Sequence, residues 1–127
     1  YQCDWSSDVC SSDLLATAAG LAVTWWARLH LGRLWSGRVE VKEGHRLVDS
    51  GPYAIVRHPI YTGLLAATIA TTLFIATAPA VAGCVMIVMG LRRKARLEER
   101  LLEETFGAPY ADYRRRVPAL LPFAPAD

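Results

Sequence analysis

The sequence predicts an all-α protein of polytopic membrane helices, with a helical hairpin and a cytosolic amphipathic C-terminal helix. Three features lead there. Of the 127 residues, 53% are hydrophobic, more than an ordinary soluble domain carries. All 14 basic residues fall in two blocks, Arg28 to Arg57 and Arg92 to Arg116, and between them Pro59 to Leu91 carries no charge at all. The formal net charge of +2 is too small to point to nucleic acid, so the placement of charge is the informative quantity.

The N-terminal stretch Asp4 to Leu14 reads like the translation of a sequencing-library adapter, so residues 1–14 are set aside as an artefact and 15–127 are taken as a single, partial domain. On that reading the chain is N-terminally truncated. Leu15 to Trp26 is apolar and is followed by Arg28 and His30, the pattern of a membrane helix arriving at an interface. Its apolar length falls short of the roughly 20 residues of a span, as a truncated helix would. Gly32 to His58 turns polar, with glycines at 32, 37, 44 and 51 and Pro52, which denotes an interfacial loop with turns. Val39, Val41, Leu47, Val48, Tyr53, Ile55 and Val56 give that loop apolar anchors.

Pro59 suits a first helical position, where its missing N–H costs nothing, and Ile60 to Thr77 then supplies 18 uncharged residues. At about 1.5 Å per residue that is roughly 27 Å, close to one hydrocarbon thickness. Ala78-Pro79 breaks the run, and Ala80 to Leu91 is a second apolar stretch that can continue through Arg92 and Arg93 with their stems snorkelling. A hairpin returns the chain to the side it left. The positive-inside rule therefore places both basic blocks in the cytoplasm and the uncharged tip on the far side. Beyond it, Leu97, Leu101, Leu102 and Phe106 give Arg92 to Phe106 an apolar side. Gly107 ends that helix, and a short turn followed by irregular chain is expected to complete the protein.

Cys3, Cys10 and Cys84 offer no paired framework, and Cys84, inside an apolar run, reads as a buried thiol. No metal site is expected, because His30, His45 and His58 lack ligand-like spacing. Four polar clusters converge on the cytoplasmic side: 44–48, 50–53, 57–63 and the pair Glu98-Glu99. The hairpin ends must lie side by side, which brings His58 and Tyr61 close to the stretch from Arg92 to Glu99. That predicts a polar pocket roofed by the loop 38–57 over an apolar floor. Each cluster has a plainer reading as well: helix start and anchor for Arg57-His58-Pro59, interfacial aromatics for Tyr53 and Tyr61, a solvated helix face for Glu98-Glu99.

Taken together, Gly51-Pro52-Tyr53, Arg57-His58-Pro59-Ile60-Tyr61-Thr62-Gly63, Glu98-Glu99, and Phe106-Gly107-Ala108-Pro109-Tyr110 followed by Tyr113 and Val117-Pro118 resemble the isoprenylcysteine carboxyl methyltransferase and phospholipid methyltransferase superfamily of membrane enzymes. The resemblance implies an S-adenosylmethionine pocket on the cytosolic side. Its cofactor contacts would be His45, Arg46, Leu47, Val48, Tyr53, His58, Pro59, Ile60, Tyr61 and one or both of Glu98 and Glu99. Arg57, Arg93 and Lys94 would face the substrate, a lipophilic small molecule or lipidated acceptor that enters from the membrane lipid. Methyl transfer from a sulfonium needs alignment and exclusion of water more than acid or base groups, so no catalytic residue is assigned. Two other readings remain open at this point: an NADPH-dependent membrane reductase of the sterol-reductase type, and a non-catalytic membrane scaffold.

Overall fold

A computed structural model of the chain describes residues 8–32 and 47–126. Among the described residues there are four α-helices, one 3-10 turn and no strand. In order these are α1 (Asp8–Leu31), the 3-10 turn Gly51–Ala54, α2 (Pro59–Ile75), α3 (Ala78–Phe106) and α4 (Ala108–Arg116). Among these residues no helix is long and apolar enough to cross a membrane. α1 begins at Asp8, inside the stretch 1–14.

α1 and α2 are antiparallel and closely packed because small residues face each other along their contact. A Cβ placed on Gly20 would lie 2.6 Å from the carbonyl oxygen of Gly63 and 2.7 Å from the Ala67 nitrogen. Where backbones approach this closely, hydroxyls can bridge them. The Thr24 hydroxyl reaches the carbonyls of Gly20 (3.1 Å) and Ile60 (3.2 Å), and the hydroxyls of Thr17 and Thr71 meet at 3.1 Å. The C-terminus of α1 therefore lies at the same end of the bundle as the start of α2.

The hairpin between α2 and α3 is tighter than the sequence implies. α2 stops at Ile75, two residues before the expected end of the apolar run, and Ala76 adopts the left-handed region (φ 49°) with its N–H bonded to the Thr72 carbonyl. The break expected at Ala78-Pro79 lies just before it, at Ala76 and Thr77, and Pro79 sits in the first turn of α3, where a proline removes no helical hydrogen bond. The second apolar stretch and the amphipathic segment are thus one continuous 29-residue helix. It ends at Gly107 (φ 60°), a conformation that favours glycine.

The tail is more ordered than expected. Pro109 lies in the first turn of α4, which runs for 9 residues. Tyr110, Tyr113 and Val117 are buried at helical spacing, and Leu47, Leu102 and Phe106 pack against them. The buried side of α3 here runs through Ala95, Leu102 and Phe106, whereas Leu97 is exposed. Cys84 is half-exposed and not buried: it lines a groove of about 340 Å³ with Thr17, Thr68 and Thr72, at the end of the bundle far from the carboxylates.

Candidate functional site

The site is assembled where α1 ends, α2 begins and the second half of α3 passes. Arg57 and His58 precede Pro59, so they stand at the mouth of α2 while Glu98 and Glu99 lie five turns down α3 from the hairpin tip. The imidazole of His58 lies between the two carboxylates, with Nε2 3.0 Å from Glu99 Oε1 and Nδ1 3.7 Å from Glu98 Oε2. The Tyr61 hydroxyl donates to Glu98 Oε1 at 2.5 Å, and its ring stacks on His58 with centroids 5.4 Å apart and planes 12° from parallel. The neighbouring carboxylates are not equivalent. Glu99 is held on the inside by His58 and Arg57, its side chain 12% exposed, while that of Glu98 is 22% exposed and faces the tyrosines.

Arg57 explains the order of the tail. Its Nε donates to Glu99 Oε1 at 2.9 Å, and its Nη1 donates to the carbonyls of Arg114 (2.8 Å) and Val117 (2.9 Å). The last carbonyls of a helix have no partner within it and carry partial negative charge, so the guanidinium closes the end of α4. Chain follows in the same sense: the N–H groups of Arg57 and His58 donate to the carbonyls of Pro118 (2.8 Å) and Ala119 (3.0 Å), and the Thr62 hydroxyl to that of Leu120 (2.7 Å). Residues 117–120 form a strap along the start of α2. The Tyr113 hydroxyl donates to the Tyr53 carbonyl at 2.7 Å, which ties α4 to the 3-10 turn as well. From the other side, His30 Nε2 lies 3.1 Å from Ser50 Oγ, and its ring occupies the space a Cβ on Gly51 would need.

The electrostatics follow from this packing. Burial is the largest single influence on Glu99 and works to raise its carboxyl. The hydrogen bond and electrostatic pull of His58, with those of Arg57, together outweigh it and hold the group below the ordinary carboxylate range. A carboxyl depressed in the folded state lends stability that is fully present above its unfolded pKa and is lost as the pH falls through the folded one. Acid unfolding of the wild-type chain should therefore extend below the ordinary carboxylate range, and a Glu99→Gln variant, followed by circular dichroism between pH 6 and about pH 2, should lose that part of the pH dependence. Burial first and the Glu98 charge second keep the Tyr53 phenol neutral well above its usual range. Tyr53 thus shares the field of Glu98.

Of the residues named from the sequence, the structure gathers Tyr53, His58, Tyr61, Glu98 and Glu99 at this end. Pro59 is fully buried, Ile60 and Val48 are half-buried, and Leu47 packs on the tyrosine cluster of α4. Lys94 lies over the Tyr61 ring, 5.7 Å from its centroid, and Arg93 is exposed. Arg57, expected beside a substrate, is 4% exposed and committed to Glu99 and the end of α4. His45 and Arg46 fall outside the described residues, as does the first part, 38–46, of the loop expected to roof the pocket. Among the described residues no group of three or more histidines, cysteines or acids could hold a metal ion. Thr62 and Val117-Pro118 belong to the motifs quoted from the sequence, but the bonds that join the start of α2 to the strap at 117–120 were not anticipated, since backbone carbonyls leave no trace in residue type; the spacing of Tyr110, Tyr113 and Val117 was the available signal.

The profile of the isoprenylcysteine carboxyl methyltransferase (ICMT) family matches residues 14–104. Protein-S-isoprenylcysteine O-methyltransferase B of Arabidopsis thaliana is 33% identical over 95 residues, 72% of this chain and 48% of that protein. Methanethiol S-methyltransferase 2 of Bradyrhizobium diazoefficiens is 46% identical over 72 residues, 55% of this chain and 26% of that protein. The solved structure of the eukaryotic intramembrane Ras methyltransferase ICMT superposes with a TM-score of 0.81 at 27% identity, covering 91% of this chain and 42% of that one. The chain spans about half the length of the Arabidopsis relative. With a family profile that spans His58, Tyr61 and both carboxylates, and a matching helical framework around them, this chain belongs to the isoprenylcysteine carboxyl methyltransferase family.

Proposed function

We propose that this chain forms the cofactor-binding portion of an integral membrane, S-adenosylmethionine-dependent methyltransferase acting on a lipophilic acceptor, with the carboxylate end of the bundle at the cytoplasmic face. The observation that carries the proposal is the corner in which His58 bridges Glu98 and Glu99 while Tyr61 donates to Glu98. Its donors and acceptors fit a cofactor that has an ammonium, a carboxylate, a sulfonium and ribose hydroxyls. When bound, S-adenosylmethionine supplies an electrophilic methyl group for in-line transfer to a nucleophile.

The roles of the side chains follow from their exposure. Glu98 accepts hydrogens from the polar or cationic part of the cofactor, because Glu99 is already engaged by Arg57 and His58. His58 and Tyr61 orient the cofactor, Tyr53 lines the pocket, and Leu47, Val48, Pro59 and Ile60 supply apolar walls that exclude water. The family resemblance also assigns His45 and Arg46 to the cofactor. Arg93 and Lys94 steer an anionic acceptor toward the pocket, and Arg57 serves as a positioning residue. The named acceptors of the relatives, an isoprenylcysteine and methanethiol, support an apolar acceptor carrying a nucleophilic oxygen or sulfur.

The membrane setting is supported by the surface. Leu73, Met86 and Met89 are 75%, 73% and 66% exposed on the uncharged arms of the hairpin, and large apolar side chains left so open call for lipid or another helix. α2, with 17 residues, is a few ångströms short of a full hydrocarbon thickness, and short helices are accommodated by local thinning and snorkelling of flanking basic residues. The proposal is tested by equilibrium binding of labelled S-adenosylmethionine to the full chain in lipid nanodiscs. Glu98→Gln should weaken binding about 10- to 100-fold, the worth of a hydrogen bond to a charged group. Unchanged affinity would remove Glu98 from the site.

A further inference from the structure

Lys94 Nζ already occupies the face of Tyr61, 5.7 Å from the ring centroid. An ammonium within about 6 Å of an aromatic face is attracted by the ring quadrupole. Two neighbours strengthen that attraction: the Tyr61 hydroxyl donates to the Glu98 carboxylate at 2.5 Å, which enriches the ring, and Glu98 itself lies one turn beyond Lys94 on α3. The same ring is held in place by its stack on His58. A fixed aromatic face beside a partly open carboxylate therefore selects for positive charge, and the protein fills it with a cation on a flexible four-carbon stem.

We propose that the Tyr61 face, edged by Glu98, is the cation subsite of the pocket, that it receives the sulfonium of S-adenosylmethionine, and that Lys94 is its built-in occupant, displaced when the cofactor loads. The inference rests on the function proposed above. Displaced from the ring, Lys94 is released toward the acceptor side of the pocket. Transfer breaks the bond between sulfur and methyl, leaves its electron pair on sulfur and forms the bond from methyl to the acceptor nucleophile. Sulfur is then neutral, its hold on the ring is lost, and Lys94 can return.

The test compares two ligands that differ at the subsite by one methyl group and one charge. Equilibrium binding of S-adenosylmethionine and of S-adenosylhomocysteine is measured on the full chain in nanodiscs, with folding checked by circular dichroism. Lys94→Met is expected to raise the ratio of the two affinities in favour of the sulfonium about 3- to 30-fold. Tyr61→Leu is expected to lower it by a similar factor, Tyr61→Phe to retain most of it, and Arg92→Met, which removes an exposed cation nearby, to leave it unchanged. If Tyr61→Leu does not fold, Lys94→Met against Arg92→Met decides alone. An unchanged ratio in Lys94→Met, or an equal rise in Arg92→Met, overturns the subsite while leaving the methyltransferase reading intact. A wild-type chain that binds neither ligand overturns both.

Discussion

Replacing Arg57 by alanine should destabilise the protein by about 3–5 kcal/mol, the usual cost of breaking a buried ion pair from one side. The magnitude follows from what the guanidinium holds: Glu99 at 2.9 Å and the terminal carbonyls of α4 at 2.8 and 2.9 Å, all at a residue 4% exposed. Alanine leaves Glu99 half-paired in a buried corner and leaves two carbonyls without their donor. The strap at 117–120 then relies on two backbone hydrogen bonds and the Thr62 hydroxyl. Arg57→Lys should recover only part of the loss, because one ammonium cannot reproduce the planar fork that reaches a carboxylate and two carbonyls together. Denaturant titration in detergent, with limited proteolysis of the tail, measures both effects. A loss under about 1 kcal/mol, the scale of an exposed pair, would mean that the staple contributes little.

Gly63→Leu should push α1 off α2, with a destabilisation at or beyond the top of the 1–3 kcal/mol typical of overpacking. At position 63 an added Cβ collides with the Gly20 carbonyl and with both the hydroxyl and the backbone nitrogen of Thr24. Two of these atoms belong to backbone and cannot swing aside. The bond from Thr24 to the Ile60 carbonyl at 3.2 Å is lost with the separation, and with it the register that sets α1 beside the mouth of α2. Gly83→Leu is the matched control, since nothing lies within 4 Å of a Cβ there. Disulfide trapping of cysteine pairs across α1 and α2 should fail in Gly63→Leu and persist in Gly83→Leu.

The hairpin was legible in the sequence because an uncharged run between two basic blocks has few other solutions. Its length was overestimated by two residues, since Ala76 takes the left-handed conformation with no glycine or asparagine to mark it. The break expected at Ala78-Pro79 does separate two helices, but it falls at Ala76 and Thr77 because a proline is compatible with a first turn, and the amphipathic stretch from Arg92 belongs to the same helix as the apolar run before it. The meeting of His58 with Glu98 and Glu99 followed from topology alone. The division of labour within that pair did not, because only packing shows that Glu99 turns toward Arg57 and His58 while Glu98 turns toward Tyr61. Arg57 was set toward the substrate by the family resemblance; its partners in the structure are mostly backbone carbonyls some 60 residues later, which have no signature in residue type.

The central claim is that the corner formed by Tyr53, His58, Tyr61 and Glu98 is made for S-adenosylmethionine. Its most direct test is competition for the purified chain in nanodiscs between labelled S-adenosylmethionine, S-adenosylhomocysteine and NADPH. Saturable binding of the labelled cofactor, displaced by S-adenosylhomocysteine and untouched by NADPH, is the predicted result; displacement by NADPH, or binding that survives loss of both the Glu98 carboxylate and the Tyr61 ring, would contradict it.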